Sequence, residues 1–577
     1  MQYTPDQQRA IKDRPDGNVL VSASAGSGKT RVLVDRIIDM VKNQGINIDQ
    51  LLVVTFTNAA AKEMRERLRG SLQSEFSKAT DPESKKHLLT QIRKVAVADI
   101  TTMDAYCQKL VSRYYYILGI DPNFRVLSDN TEIQLLKEQV WDNVREALYG
   151  QDEDHTFADL TENFSNDRSD EGLTNVIFQM DEFANVNEDP DKWLNDAASF
   201  YEIGDQGLIH SELYTTLISR EVSDAVKRLV ISHQAIIKMA QQAELEKDEA
   251  LFTKQLESVT QLQKGVIEAA DWDGLRQLIT GFDFESMTKA KLTKDADEHQ
   301  KQVHKLVKGT NDQMKKQWQK LVTGYFAWNE QDNVDLMNAA KARIEKLVTV
   351  VRTFRAAYKQ AKARRHLMQF IDIEHAGYDI LNDVSEQAKQ VRQRLQDQYY
   401  EIMTDEYQDN NRLQDAILNK IARSDRGNRF MVGDVKQSIY RFRLADPTMF
   451  IKKQAQYIEQ DNDNELISLS ENFRSAKNID DFTNLVFEQT MDHQVGDIAY
   501  TGKSKLQFGA TYYPDDMKTD VSLIIYRTKS SVAATSNEDL GAGDQIEDSD
   551  SGQAEIIAQK IRTLVDDKQL ILSLIHI

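Results

Sequence analysis

Eight residues near the start of the chain, Ala23-Ser24-Ala25-Gly26-Ser27-Gly28-Lys29-Thr30, have the order of a phosphate-binding loop. They follow a short apolar run, Asn18 to Ser22, and open the amphipathic stretch RVLVDRIIDMV, the strand–loop–helix setting such a loop requires. Gly26 and Gly28 let the backbone curl so that successive N–H groups converge on phosphate oxygens, and the helix adds its positive end. Lys29 is placed to reach the β- and γ-phosphates of a nucleotide, and the Thr30 hydroxyl to ligate Mg2+. Ala23 stands where the general pattern has Gly. Such a loop needs an acid at the end of another strand. Asp405-Glu406 directly follows YYEIMT, within the run Asp405-Glu406-Tyr407-Gln408-Asp409. Asp405 is expected to hold Mg2+ through water, and Glu406 to orient and deprotonate an attacking water.

Two further groupings suit a different ligand. Thr55-Phe56-Thr57-Asn58 ends one apolar run and begins a helix. Small hydroxyl and amide side chains there suit phosphate contact without regard to base, although a plain N-cap needs the same residues. Tyr440-Arg441-Phe442-Arg443 interleaves aromatic and basic side chains. Stacking on a base is worth about 1–3 kcal/mol and tolerates any sequence. Packing of Phe442 in a core is the alternative reading.

Regular elements must hold these groups. NVLVS (18–22), LLVVTF (51–56) and VADIT (97–101) read as buried strands alternating with helices, one of them Asn58–Arg69. That alternation predicts a parallel sheet and the α/β class. From Ser128 to Glu345 apolar residues recur at helical spacing, as in VSDAVKRLVISHQAIIKMAQQ, which predicts an all-helical insertion without a catalytic constellation. Its His and Trp residues read as packing or surface positions. Strand signals return at YYEIMT (399–404), RFMVG (429–433) and ELISLS (465–470). Residues 535–552 are acidic and aromatic-free and read as a mobile loop, followed by a helix in QAEIIAQKIRTLVDD.

Composition narrows the class. The 577 residues are 40% hydrophobic and 28% charged, which excludes wholesale disorder and suggests about three or four domains. Gly (24) and Pro (7) fall far below their usual combined share of about 12%, favouring long helices. A single cysteine, Cys107, excludes an intramolecular disulfide framework and a Cys-cluster zinc site. The opening MQYTPDQQRA does not read as a signal peptide, and no apolar run approaches the roughly 18 residues of a membrane span. The expectation is a soluble cytoplasmic protein without a membrane partner. The net charge of −20 looks wrong for nucleic acid, but residues 1–125 hold 19 basic and 14 acidic side chains, so the motifs must decide.

ASAGSGKT, TDEYQD, VGDVKQSIYRFR and LSENFRS stand in the order and spacing of motifs I, II, III and IV of superfamily 1A DNA helicases. YYYILGIDPNFRVL, VKQSIYRFRLADPTMF, SENFRSAKNIDDF and the long insertion between Phe124 and Tyr358 resemble the AddA (RexA) helicase–nuclease subunits, relatives of RecB, more than the shorter UvrD, PcrA and Rep helicases. The resemblance covers nearly the whole chain, strongly at the motifs and weakly in the insertion. It implies a P-loop NTPase (RecA-like) motor. Residues 1–127 and 346–464 would form motor domain 1A, 128–345 a helical 1B-like insertion, and 465–577 the start of motor domain 2A. ATP and Mg2+ are implied as cofactors. Gln7, in TPDQQRAI, matches the glutamine that reads the adenine edge, an amide being able to donate and accept at once. Gln437 would sense the γ-phosphate, and Arg474 would set a permanently charged, planar guanidinium on it. Thr57 and Asn58 match positions that contact the DNA backbone. The position of Phe442 stacks on a base in the family, with Tyr440 and Arg443 beside it. Gln437 lies five residues before Phe442, so one segment serves both nucleotide and base.

Two positions depart from the family. Asp104 stands where a His is usual, which puts a carboxylate near DNA phosphate, and Gln369 in Met368-Gln369-Phe370 replaces an expected Asp. Motifs V and VI and a nuclease module find no match. The sequence therefore reads as the N-terminal stretch of an AddA-type 3′→5′ DNA helicase–nuclease subunit. Such proteins work with an AddB (RexB)-type partner on single-stranded and duplex-end DNA in double-strand-break repair. Residues 1–577 alone are expected to bind nucleotide without DNA-stimulated turnover, unwinding or cutting. The closing LILSLIHI reads as a foreign or frameshifted tail, with a buried strand as the alternative. A stand-alone UvrD-like repair helicase, or a fragment that binds nucleotide or single-stranded DNA without turnover, are the competing readings.

Overall fold

Short runs of Val, Ile, Leu and Met with no solvent-facing alternation can be strands only where both faces of a sheet are covered. The computed structural model describes residues 3–166, 169–293, 295–423, 425–458, 463–493, 495–513, 521–524 and 549–566. It places six strands in one sheet: β1 (Val19–Ala23), β2 (Leu51–Thr55), β3 (Asp99–Thr102), β4 (Glu401–Thr404), β5 (Arg429–Gly433) and β6 (Glu465–Leu469). Their order is β3-β2-β4-β5-β1-β6, and every neighbouring pair is parallel. Val21 lies between Val432 of β5 and Ile467 of β6, and Val53 between Ile100 and Met403.

The two-residue side-chain period divides the strands between two cores. Val19, Val21, Val53, Met403, Phe430 and Ile467 pack on one face, against the helices Lys29–Asn43, Asn58–Lys78 and Pro82–Lys94. Leu52, Val54 and Ile402 pack on the other, with Met103–Tyr114, Phe370–Asn382, Glu386–Gln398 and Arg412–Ile421. One buried cation ties the helix Lys29–Asn43 to the sheet. Arg36, 1% exposed, donates from Nε and Nη2 to the Glu401 carboxylate at 2.8 and 2.5 Å, and from Nη1 to the carbonyls of Ala10 and Asp13. Its guanidinium lies 4.1 Å from the centre of the Phe430 ring.

Between Ser128 and Glu345 the described residues contain helices, turns and a single isolated bridge, Asn166 to Ser169, as the helical spacing predicts. The helix Glu330–Arg364 runs unbroken across residue 345. Trp141 meets Phe354 edge-on in one helical core, and Trp272 stacks on Phe326 at 4.8 Å in another. Among the described residues no helix is long and apolar enough to cross a membrane.

The sequence reading set a boundary before Glu465. In the structure that strand is the edge of the sheet beside β1, and a second compact unit takes up the chain at Ser470, together with Ser24–Gly28. In this unit Glu471–Asn472 pairs in parallel with Gln507–Phe508, beside the helix Lys477–Thr490. A helix occupies Ser549–Asp566. Of the stretch read as a mobile loop, residues 535–548 lie outside the described residues, as does the tail 570–577.

Removing one partner of a buried ion pair strands the other charge, at a cost of about 3–5 kcal/mol. Glu401→Gln is expected to destabilise the sheet unit by that order, read as a shift in the urea unfolding midpoint at unchanged m-value.

Candidate active site and nucleic-acid track

The carboxyl ends of β4, β5 and β1 lie side by side, and the segment leaving each carries part of the site. At the end of β1 the chain turns through Ser24–Gly28 with Gly26 at φ 72° and Gly28 at φ 83°, a left-handed conformation that glycine adopts without strain. A Cβ at Gly26 would collide with the Asn472 side chain, and the Gly26 carbonyl accepts from Phe473 N–H at 2.9 Å. Arg474 follows in the same unit, exposed, with its N–H on Asn472 Oδ1 at 2.7 Å and its carbonyl accepting from the Tyr512 and Tyr513 hydroxyls. Ala23 closes β1, and Ala25 is exposed. Lys29 and Thr30 begin the helix Lys29–Asn43, whose first N–H groups have no acceptor within the helix.

Lys29 Nζ donates to Glu406 Oε2 at 2.9 Å. Glu406 stands two residues beyond the end of β4 and holds φ 51°, ψ 47°, a left-handed conformation that costs a non-glycine residue about 1–3 kcal/mol. Anchors on both sides impose it. Asp405 N–H donates to Val54 O, and the buried Tyr407 hydroxyl donates to Asp415, itself paired with Arg429 at 2.7 Å. Asp405 and Asp409 are both pushed up to about 6, by burial first and then by the charge of Glu406, with Lys29 opposing. Negative charge is thus under-compensated here. Among the described residues no three His, Cys, Asp or Glu side chains gather to hold a metal alone. Mg2+ does not ask for that: it takes one or two protein oxygens, with phosphate and water completing its octahedron. Thr30 and Asp405 fit that donor set.

At the end of β5, Asp434 (1% exposed) accepts from Gln437 Nε2 at 2.8 Å and pairs with Lys436 Nζ at 2.8 Å. The chain then reaches the aromatic cluster. Phe56, from the end of β2, lies 4.5 Å from Tyr440 centre to centre, and Tyr440 lies 5.9 Å from Phe442. The Arg443 guanidinium sits 5.5 Å from the centre of the Tyr440 ring and 5.7 Å from that of Phe442. Phe442 is 75% exposed, which removes the core-packing alternative. Thr57 and Asn58 are exposed on the same connection as Phe56, and the Thr57 hydroxyl accepts from Ala60 N–H as an N-cap. Its own hydrogen remains available to an outside acceptor. Gln7 is buried rather than surface-exposed, its amide oxygen engaged with Thr4 N–H in a capping box.

The sequence matches the family model for the UvrD/REP helicase N-terminal domain over residues 3–276 and 253–458. The chain belongs to the UvrD/REP helicase family. Members use ATP. The chain is also similar to proteins named as ATP-dependent helicase/nuclease subunits of the A type. Identity is 41% with that of Ligilactobacillus salivarius and 42% with that of Levilactobacillus brevis, across 99% and 98% of this chain and 45% of each relative. The Latilactobacillus sakei protein is 39% identical across 99% of this chain and 63% of its own length. The chain thus spans about half the length of these relatives.

Asp104 and Gln369, the two positions that the sequence reading set apart, find structural partners. Gln369 Oε1 accepts from Tyr358 and Lys362, each at 3.1 Å, while Asp372 caps the same helix and pairs with Lys362 at 2.6 Å. Asp104 hydrogen-bonds Glu374, a buried carboxyl that also accepts from Gln414 Nε2 at 2.8 Å. Sequence reasoning gave no role to Phe56, Gln408, Asp434 or Glu374. Gln408 and Phe56 were visible inside quoted motifs, whereas nothing local marks Glu374.

Burial, then the neighbouring Asp104 charge, pushes the Glu374 carboxyl well above its ordinary range near 4.5. Below that range both folded and unfolded chains hold the proton, and burial carries no ionisation penalty. As pH rises, the unfolded chain releases it first, so stability falls by up to about 1.4 kcal/mol per pH unit until the folded group also ionises. Glu374→Gln is expected to remove that slope, unfolding later than wild type at pH 8 and with it at pH 4, in denaturation series across that range.

Proposed function

We propose that this chain is the ATP-binding motor portion of an AddA-type 3′→5′ DNA helicase–nuclease subunit. The observation that carries this reading is the row of contacts across three adjacent strand ends, Lys29 to Glu406, Glu406 to Gln408 and Gln408 to Asp434, from which the chain itself leads on to the exposed Phe442. In this reading the loop Ala23–Thr30 binds the ATP phosphates through backbone N–H groups, and Lys29 moves its charge from Glu406 to the terminal phosphates. Mg2+, held by Thr30 and Asp405, would supply positive charge to the phosphate oxygens. Glu406, released from Lys29, orients the attacking water and takes its proton. Gln437 senses the terminal phosphate, Arg474 contributes a guanidinium, and Gln7 contacts the adenine.

Phe442 and Tyr440 stack on successive bases of single-stranded DNA with Arg443 beside them, while Thr57 and Asn58 contact the backbone. The whole protein would work in the cytoplasm as a heterodimer with an AddB-type partner, opening duplex DNA ends for repair by recombination. The names of its relatives, which carry both helicase and nuclease, support that assignment.

Lys29→Ala is expected to weaken Mg-ATP binding at least about tenfold, an effect of roughly 1.4 kcal/mol or more, with the circular dichroism spectrum unchanged. Equal affinities in nucleotide titrations of the two proteins would remove the phosphate-loop assignment. Phe442→Ala is expected to cost about 1–3 kcal/mol of single-stranded DNA affinity, with weak sequence preference and a strong decline with salt. Fluorescence anisotropy with a labelled oligonucleotide measures it.

A further inference from the structure

Gln408 is 1% exposed and touches both halves of the network. Its Nε2 donates to Glu406 Oε2 at 2.9 Å, the oxygen that Lys29 also holds, and to Asp409 Oδ2 at 3.2 Å. Its Oε1 accepts from Asp434 N–H at 2.9 Å. Asp434 in turn holds the Gln437 amide and Lys436, opening the turn that leads to Tyr440 and Phe442. We propose that Gln408 is a positioning residue that makes nucleotide and DNA binding interdependent, by tying Glu406 to the Asp434–Gln437 turn. This rests on the motor reading above.

Three physical features support the assignment. The side chain must donate hydrogen bonds to two carboxylates and accept one from a backbone N–H at once, which a carboxamide does and a carboxylate or ammonium does not. It is buried and held close to the backbone: its Oε1 occupies the place a Cβ on Gly433 would take, with the Phe450 ring beside the same glycine. A displacement of Glu406 is therefore passed to Asp434 rather than absorbed. Lastly, Lys29 and Gln408 share one oxygen, so when phosphate draws Lys29 away, Gln408 remains as the donor that holds Glu406. The nucleotide's arrival changes the load on the Gln408 amide, and the amide's other end carries the segment that bears Phe442.

The test needs no turnover. The affinity of residues 1–577 for a non-hydrolysable Mg-ATP analogue is measured with and without oligothymidylate, and the affinity for oligothymidylate with and without the analogue. Linkage requires both ratios to be equal. The wild-type ratio is expected in the range of roughly 5–150-fold, and Gln408→Met is expected to bring it within about twofold of one while each separate affinity changes by less than about threefold. Gln408→Glu keeps the acceptor for Asp434 N–H but loses the donor, and is expected to lose the linkage as well. A merely structural residue would lower both affinities or the melting temperature and leave the ratio alone. If both ligands bind and either variant keeps the wild-type ratio, or the wild-type ratio is one, the inference is overturned by itself. If wild type binds neither ligand, the motor reading fails and the inference with it.

Discussion

Parallel strands leave all their carboxyl ends at one edge of the sheet, and here β5 separates β4 from β1. Everything at the site depends on that order. The lysine after β1 and the acid pair after β4 come from chain positions 377 residues apart, yet they meet across the end of a single intervening strand. The intervening strand is not neutral ground. It ends in Gly433-Asp434, where the absence of a Cβ admits the Gln408 amide and the following carboxylate organises the turn toward Phe442. Had β5 lain at the sheet edge, the same residues would be present without a shared network.

Electrostatics supplies the second constraint. Asp405, Glu406 and Asp409 are crowded behind one lysine, and burial raises the cost of their combined charge. A carboxylate cluster of this kind is unfavourable for the empty fold and favourable for a site that receives cations with its substrate, because incoming positive charge lowers the energy of groups already in place. Glu406 adds backbone strain to that account. Its left-handed conformation persists because Tyr407, Asp415 and Arg429 lock the segment that follows. The buried Arg36–Glu401 pair plays the opposite part at the other end of β4: fully answered, it holds the strand still while the acid end stays poised.

The long helical stretch packs around two aromatic cores, one at Trp141 and Phe354 and one at Trp272 and Phe326. Trp141, Trp272 and His233 are absorbed in packing and hydrogen bonds, while Trp328 is exposed, in line with their reading as packing or surface positions.

Much of this was legible before any coordinates. Uninterrupted Val, Ile and Leu runs between helices determine a parallel sheet covered on both faces, because backbone polarity and apolar side chains leave no other arrangement. The loop Ala23–Thr30 and the acid pair after YYEIMT are likewise local: their chemistry is written in consecutive residues. Element ends were less legible. VADIT suggested a strand from Val97, but Val97 is 73% exposed in the turn that ends the preceding helix, and pairing with β2 begins at Asp99. ELISLS read as the opening of another domain, and only its pairing with β1 makes it the sixth strand of this sheet. Tertiary structure also decided the partners of polar side chains. A glutamine in DEYQD and an aspartate after RFMVG carry no sign of each other 26 residues apart, nor does Glu374 carry any sign of Asp104. Hydrogen bonds are short-ranged and directional, so which groups meet is set by strand order and helix packing, and sequence spacing does not encode it.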